Sequence, residues 1–103
     1  MSELPTAPFV IEREYGLSHA DLDRILPRVT KATVTREADT FTLRFPDGRE
    51  LALRLSPERE RRLGLIRIPV TDLTFTFTGT GWATGTPQAF MTEFERAFQK
   101  GGG

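Results

Sequence analysis

The sequence predicts a two-layer α+β domain: an antiparallel sheet of four to six strands with two helices packed on one face, in the order β-α-β-β-β-β(-β)-α. Three observations predict it. Short runs of alternating apolar and polar residues follow one another through tight turn signals, which makes neighbouring strands antiparallel. One such run, Thr40 to Leu55, fixes its own register. Two helical stretches, one near each end of the pattern, each carry a single apolar stripe that has to be buried against a sheet.

Residues 1–8 contain two prolines and little pattern and are expected to form a flexible tail. Residues 9–100 are expected to be the single α+β domain, and Gly101 to Gly103 a flexible glycine tail. Phe9 to Tyr15 alternates as a strand, with Phe9, Ile11 and Tyr15 on one face. Arg13 falls on that same face, either a blemish in the pattern or the mark of an edge position. Ser18 then reads as an N-cap, with Asp21 completing a short-armed capping box and Leu17 and Leu22 placed as a hydrophobic staple. Leu22, Ile25, Leu26 and Val29 keep helical spacing, and Pro27 is expected to end or kink the helix near Leu26. Lys31 to Glu37 is a further strand, turned at Ala38-Asp39 into the central hairpin.

In that hairpin Phe41, Leu43 and Phe45 alternate with Thr40, Thr42 and Arg44, and Leu51, Leu53 and Leu55 with Glu50, Ala52 and Arg54. A two-residue loop would set Arg44 opposite Leu51 and mix core with solvent. A three-residue Pro46-Asp47-Gly48 loop sets Leu43 opposite Leu51, Phe41 opposite Leu53 and Arg44 opposite Glu50. The sequence therefore predicts a type I turn with Gly48 in a bulge at positive φ.

After Leu55, Ser56-Pro57-Glu58 has the form of a cap, a proline at the first helical position and an acid in the first turn. A short helical turn is expected through Arg62. Ile66, Ile68 and Val70 then alternate in one phase, and Leu73, Phe75 and Phe77 in the other. The preferred reading is a hairpin with Pro69 to Asp72 as its loop; the alternative is one long bulged strand. Thr86-Pro87 opens the last helix, whose stripe is Phe90, Met91, Phe94, Ala97 and Phe98, with Glu93, Glu95 and Arg96 outside and Gly101 as its stop. The outline resembles a small helix-grip arrangement, a fold-level likeness that carries no function.

Composition narrows the function classes. The 103 residues suffice for one domain. The 14 basic and 14 acidic residues cancel, which disfavours nucleic acid and anionic membranes as partners. With no cysteine there is no thiol chemistry and no Cys-ligated metal. No apolar run is long enough to span a bilayer, and the N-terminus lacks the apolar core of a signal peptide, so the expected location is cytoplasmic.

Candidate sites are few. Gly79-Thr-Gly81-Trp-Ala-Thr-Gly85 superficially resembles a dinucleotide loop, but its spacing is wrong and no strand follows to close a βαβ unit. It reads as a β-to-α connection, with Trp82 either packed on the core or left out as a partner anchor. His19 with Asp23 makes only two of the ligands a metal needs, and a first-turn position explains both. The phenylalanines share their faces with leucine, so they read as core and not as a base-stacking platform. Ser18 and Ser56 look like helix caps, and no nucleophile–base pair is suggested. Arg59, Arg61, Arg62 and Arg67 form a local basic cluster interleaved with acids, a contact for an anion or a partner.

The expected function is a small soluble, non-catalytic binding module with no cofactor and no metal. Its expected partner is another protein or a second copy, through Trp82 or Arg59, Arg61, Arg62 and Arg67. The alternative is a small-molecule carrier or enzyme with a pocket between the sheet and the C-terminal helix.

Overall fold

The computed structural model describes residues 9–79, 81–82 and 86–102. Its elements are β1 (Phe9–Tyr15), α1 (His19–Val29), β2 (Thr33–Glu37), β3 (Thr40–Arg44), β4 (Arg49–Leu55), β5 (Arg59–Leu63), β6 (Ile66–Gly79) and α2 (Thr86–Gly102). The six strands form an antiparallel sheet in the order β1-β6-β4-β3-β2, and β5 pairs with β6 alone. Residues 1–8, expected to be a tail, and the last glycine lie outside the described residues.

The β3–β4 hairpin has the register that facing demands. Phe41 stands opposite Leu53, Leu43 opposite Leu51 and Arg44 opposite Glu50. The Phe45 N–H donates to the Arg49 carbonyl, the Gly48 N–H returns to the Phe45 carbonyl, and Gly48 sits at φ 96°. Leu22, Ile25 and Leu26 of α1 and Met91, Phe94 and Phe98 of α2 join Leu43, Leu53, Phe75 and Phe77 in one buried cluster. Each such side chain contributes about 1.5–3 kcal/mol through burial. On the other face Thr42, Ala52 and Thr76 stand side by side across β3, β4 and β6, half-exposed.

The Ser18 capping box is present: its hydroxyl accepts from the Asp21 N–H, and the Asp21 carboxylate accepts from the Ser18 N–H. That backbone bond holds the Asp21 carboxyl below the usual carboxylate range. Arg13 on the covered face of β1 finds an ion pair with Glu95 of α2 at 3.8 Å. Tyr15 donates its hydroxyl to the same carboxylate at 2.8 Å. Glu95 is therefore only half-exposed, not on the open face its place in the helical pattern suggests.

Four expectations give way. Pro27 lies inside α1, which runs on to Val29. The missing N–H falls in the last turn, where it frees only the Asp23 carbonyl, and the Thr30 hydroxyl donates to the Leu26 carbonyl at 3.0 Å. α2 likewise runs past Lys100 to Gly102. The helical turn expected after Ser56 is absent; Arg59 to Leu63 is a strand. Ser56 stays in the ladder, giving its N–H to the Asp72 carbonyl and taking the Asp72 N–H on its hydroxyl, both at 2.9 Å. Non-local pairing overrides the local cap signal. Finally, Ile66 to Gly79 is one strand of 14 residues, not a hairpin looped at Pro69 to Asp72.

The phase flip that suggested a loop is real. Val70 and Thr71 are adjacent and both buried, and the Thr71 hydroxyl donates to the Leu17 carbonyl at 2.8 Å. What changes there is the surroundings of β6. β1 pairs with it from Thr71 to Phe77 and β4 from Leu73 to Gly79; before Thr71 its ladder partner is β5. Leu55 pairs with Leu73 and Arg59 with Val70, so three residues, Ser56 to Glu58, stand against two. That extra residue is a bulge, and it joins β4 and β5 into one long bent companion of β6.

Candidate functional site

The β5–β6 ribbon leaves the body of the sheet as an arm. Fourteen residues of strand span about 45 Å at roughly 3.3 Å each, and the molecule measures 56 × 26 × 23 Å. Leu63 pairs with Ile66 across a two-residue Gly64-Leu65 turn. Gly64 has φ 63°, the first-position conformation for which type II′ turns choose glycine.

The arm is fastened at its base by ions. Glu14 and Asp72 are direct cross-strand neighbours, a like-charge pair that is unfavourable alone. Arg59 donates to Asp72 at 2.7 Å and also to Glu14, while Arg61 reaches the other Glu14 oxygen at 3.2 Å. The hydrogen bond to Asp72 holds the Arg59 pKa above its ordinary value. Alternation therefore places Arg59 and Arg61 on the same side as Val70 and Ile68. A side chain on Gly16 would meet Ile68 at 3.3 Å, which shows how closely the body abuts the arm there. His19 adds a further tie: its ring Nε2 lies 2.7 Å from the Ser56 carbonyl, and its backbone N–H donates to Glu58 at 2.7 Å.

Beyond this base the chemistry changes. Arg62 and Arg67 stand directly opposite one another on the other face of the arm, with Glu60 4.0 Å from Arg62. At the tip Leu63, Leu65 and Ile66 keep 56%, 102% and 63% of their surface in water. The four arginines picked out in the sequence thus fall into two pairs: Arg59 and Arg61 bound to the body's acids, Arg62 and Arg67 outside. Leu63, Leu65 and Ile66 were not among the candidate site residues of the sequence, where Ile66 read only as part of a strand. The signal that would have found them is the alternation Arg59-Arg61-Leu63 against Ile66-Ile68-Val70 about a Gly-X pair.

Trp82 is elsewhere, at the opposite end of β6. Its indole N–H is shared between the Glu50 and Thr78 carbonyls at 3.0 and 2.8 Å, and its ring meets Phe77 edge-on at 4.8 Å. The Arg49 guanidinium lies over it at 4.9 Å. The glycines beside it make room for backbone: a Cβ on Gly79 would come within 2.5 Å of the Gly48 carbonyl. Residues 83–85 of the glycine-rich stretch lie outside the described residues. Beneath the Phe90, Phe94 and Phe98 stripe, the rings of Phe94 and Phe75 meet at 5.1 Å, in direct contact across the sheet–helix boundary. An open depression on the β1–β6 part of the sheet is lined by Glu12, Arg13, Glu14, Asp72, Leu73 and Thr74, and two of its acids, Glu14 and Asp72, are already held by Arg59.

The sequence matches no protein-family model, and neither curated proteins nor solved structures give a match. No helix among the described residues is long and apolar enough to cross a membrane.

Proposed function

We propose that this protein is a small cytoplasmic, non-catalytic binding module that engages a protein partner through the β5–β6 arm. One observation carries the reading: three contiguous aliphatic side chains, Leu63, Leu65 and Ile66, stand in water at the end of a ribbon whose base is tied down. Scattered exposed leucines are ordinary, but an apolar cluster at the tip of a projecting element marks a contact surface. The base ties support it further, because a fixed arm loses less conformational freedom on binding than a loose one. The neighbouring Arg62 and Arg67 supply a polar rim and favour an acidic counterpart.

A photo-crosslinking residue at Leu65, with a control at Thr76 on the outer sheet face, tests the reading in the native host. Protein adducts at 65 and not at 76 are the expected result. Adducts that do not differ between the two positions, or none at 65, would count against the arm.

A further inference from the structure

The backbone of the arm shows which edge is open. In a two-residue hairpin the flanking pair, here Leu63 and Ile66, exchanges both of its hydrogen bonds. Alternation then makes Arg61–Ile68 and Arg59–Val70 bonded pairs as well. The N–H and C=O groups of Glu60 and Arg62 therefore point away from β6, along the outer edge of β5. On the far edge of β6 the outward residues are Arg67 and Pro69, and Pro69 has no N–H to offer, so that edge is blunted. β3 does not extend to cover β5. Its side of the ladder ends where the Leu55 N–H donates to the Asp39 carbonyl at 2.8 Å, and among the described residues no strand pairs beyond it.

Only some symmetric pairings fit such an edge. Outward groups have to meet outward groups, so two antiparallel β5 strands pair with the two-fold axis at Glu60, Arg61 or Arg62. An axis at Glu60 sets Glu60 against its own copy and calls on Glu58, whose carboxylate already takes the His19 N–H. An axis at Arg62 sets Arg62 against Arg62. An axis at Arg61 uses all five β5 residues and sets Glu60 of each copy opposite Arg62 of the other, two favourable cross-strand pairs in hydrogen-bonded register. It also brings Leu63 beside the aliphatic stem of Arg59, which Glu14 and Asp72 hold in place. The two Arg61 guanidiniums oppose each other across the axis, each already bound to a Glu14 carboxylate.

We infer that β5 is a self-pairing edge: two copies join antiparallel about Arg61, with Glu60 of each opposite Arg62 of the other, and extend the arm ribbons into one sheet. This rests on the reading of the arm as the binding element, with a second copy as its partner. Five residues of edge pairing bury well under the roughly 1,200 Å² of a standard stable interface. The dimer is therefore weak and salt-sensitive, with a dissociation constant on the order of 10–1,000 μM.

Sedimentation velocity from about 5 μM to 1 mM on four samples tests it: the wild type, Glu60→Arg, Arg62→Glu and the doubly swapped chain. Both side chains are exposed, and an unchanged melting temperature shows that each fold is intact. The wild type and the double swap dimerise, each single swap weakens dimerisation at least tenfold, and an equimolar mixture of the two singles restores it as a heterodimer. A wild type that stays monomeric at 1 mM overturns the inference. So does a dimer indifferent to the single swaps, or a mixture that fails to recover. If the crosslinker at Leu65 captures a different protein while the chain stays monomeric, the arm reading stands and only self-pairing falls.

Discussion

β6 lives in two environments, the body of the sheet and the arm. From Thr71 to Phe77 it pairs with β1 and from Leu73 to Gly79 with β4, and Leu73, Phe75 and Phe77 are buried under the two helices. From Ile66 to Val70 it has one neighbour, β5, and burial fades along it: Val70 is buried, Ile68 half-buried and Ile66 exposed. The alternation of side chains is equally regular in both parts. Periodicity tells which residues share a face; it does not tell whether anything covers that face. In the body helices cover it, and in the arm the same kind of pattern meets solvent.

Substitutions along this contrast should span its full range. Phe94→Ala should have the largest effect. Its ring contacts Phe75 at 5.1 Å and Phe98 at 4.3 Å, so truncation leaves a cavity and should cost about 3–5 kcal/mol in urea denaturation. Domains of this size hold only about 5–15 kcal/mol in all, so the variant should melt far lower or be largely unfolded.

Tyr15→Phe probes the last row of the body, where Tyr15 stands opposite Thr71. Losing the hydroxyl bond to Glu95 should cost about 0.5–1.5 kcal/mol at neutral pH. Burial, and then the bond to Glu95, raise the phenol's pKa above its ordinary 10.0. The folded state thus holds that proton more tightly than the unfolded chain. The associated stability is complete below pH 10 and is lost as pH rises past it. Urea titrations at pH 8 and pH 11 should show the wild type losing its advantage over Tyr15→Phe at the higher value.

Leu65→Asn should do least, changing stability by no more than about 0.5 kcal/mol, because the side chain is fully in water. A Leu65→Asn cost approaching that of Phe94→Ala would show that the arm tip is packed, and the contrast between the two regions would collapse.

What the sequence made legible was local. The Thr40 to Leu55 hairpin could be registered from facing alone, because its strands are joined by three residues. Ser18 and Asp21 announced α1 through contacts three residues apart. Pro27 and Gly101 failed as helix stops for local reasons, and the other failures were non-local. Ser56-Pro57 carries a genuine helix-start signal, but Ser56 pairs instead with Asp72, 16 residues on. The phase flip at Val70 looked like a turn because turns and changes of neighbour leave the same trace in a linear pattern. The pairing of β1 with β6, Phe9 opposite Phe77, is a sheet-order fact that no local window contains. Of the site, the arginines were visible as a cluster, but their division into pinned and outward pairs depends on Glu14, 45 residues from Arg59.

The continuity of β6 also has a mechanical consequence. Ladder bonds between antiparallel strands lie across the strand axis. A pull on the arm along that axis reaches the β1 and β4 ladders together, from Thr71 to Gly79, and loads their bonds in shear all at once. Had the chain turned at Pro69 to Asp72, the same pull would have opened a hairpin one rung at a time. A tether attached to the arm therefore draws on the resistance of the whole sheet, and β6 acts as a tie-rod running from the tip into the middle of the body.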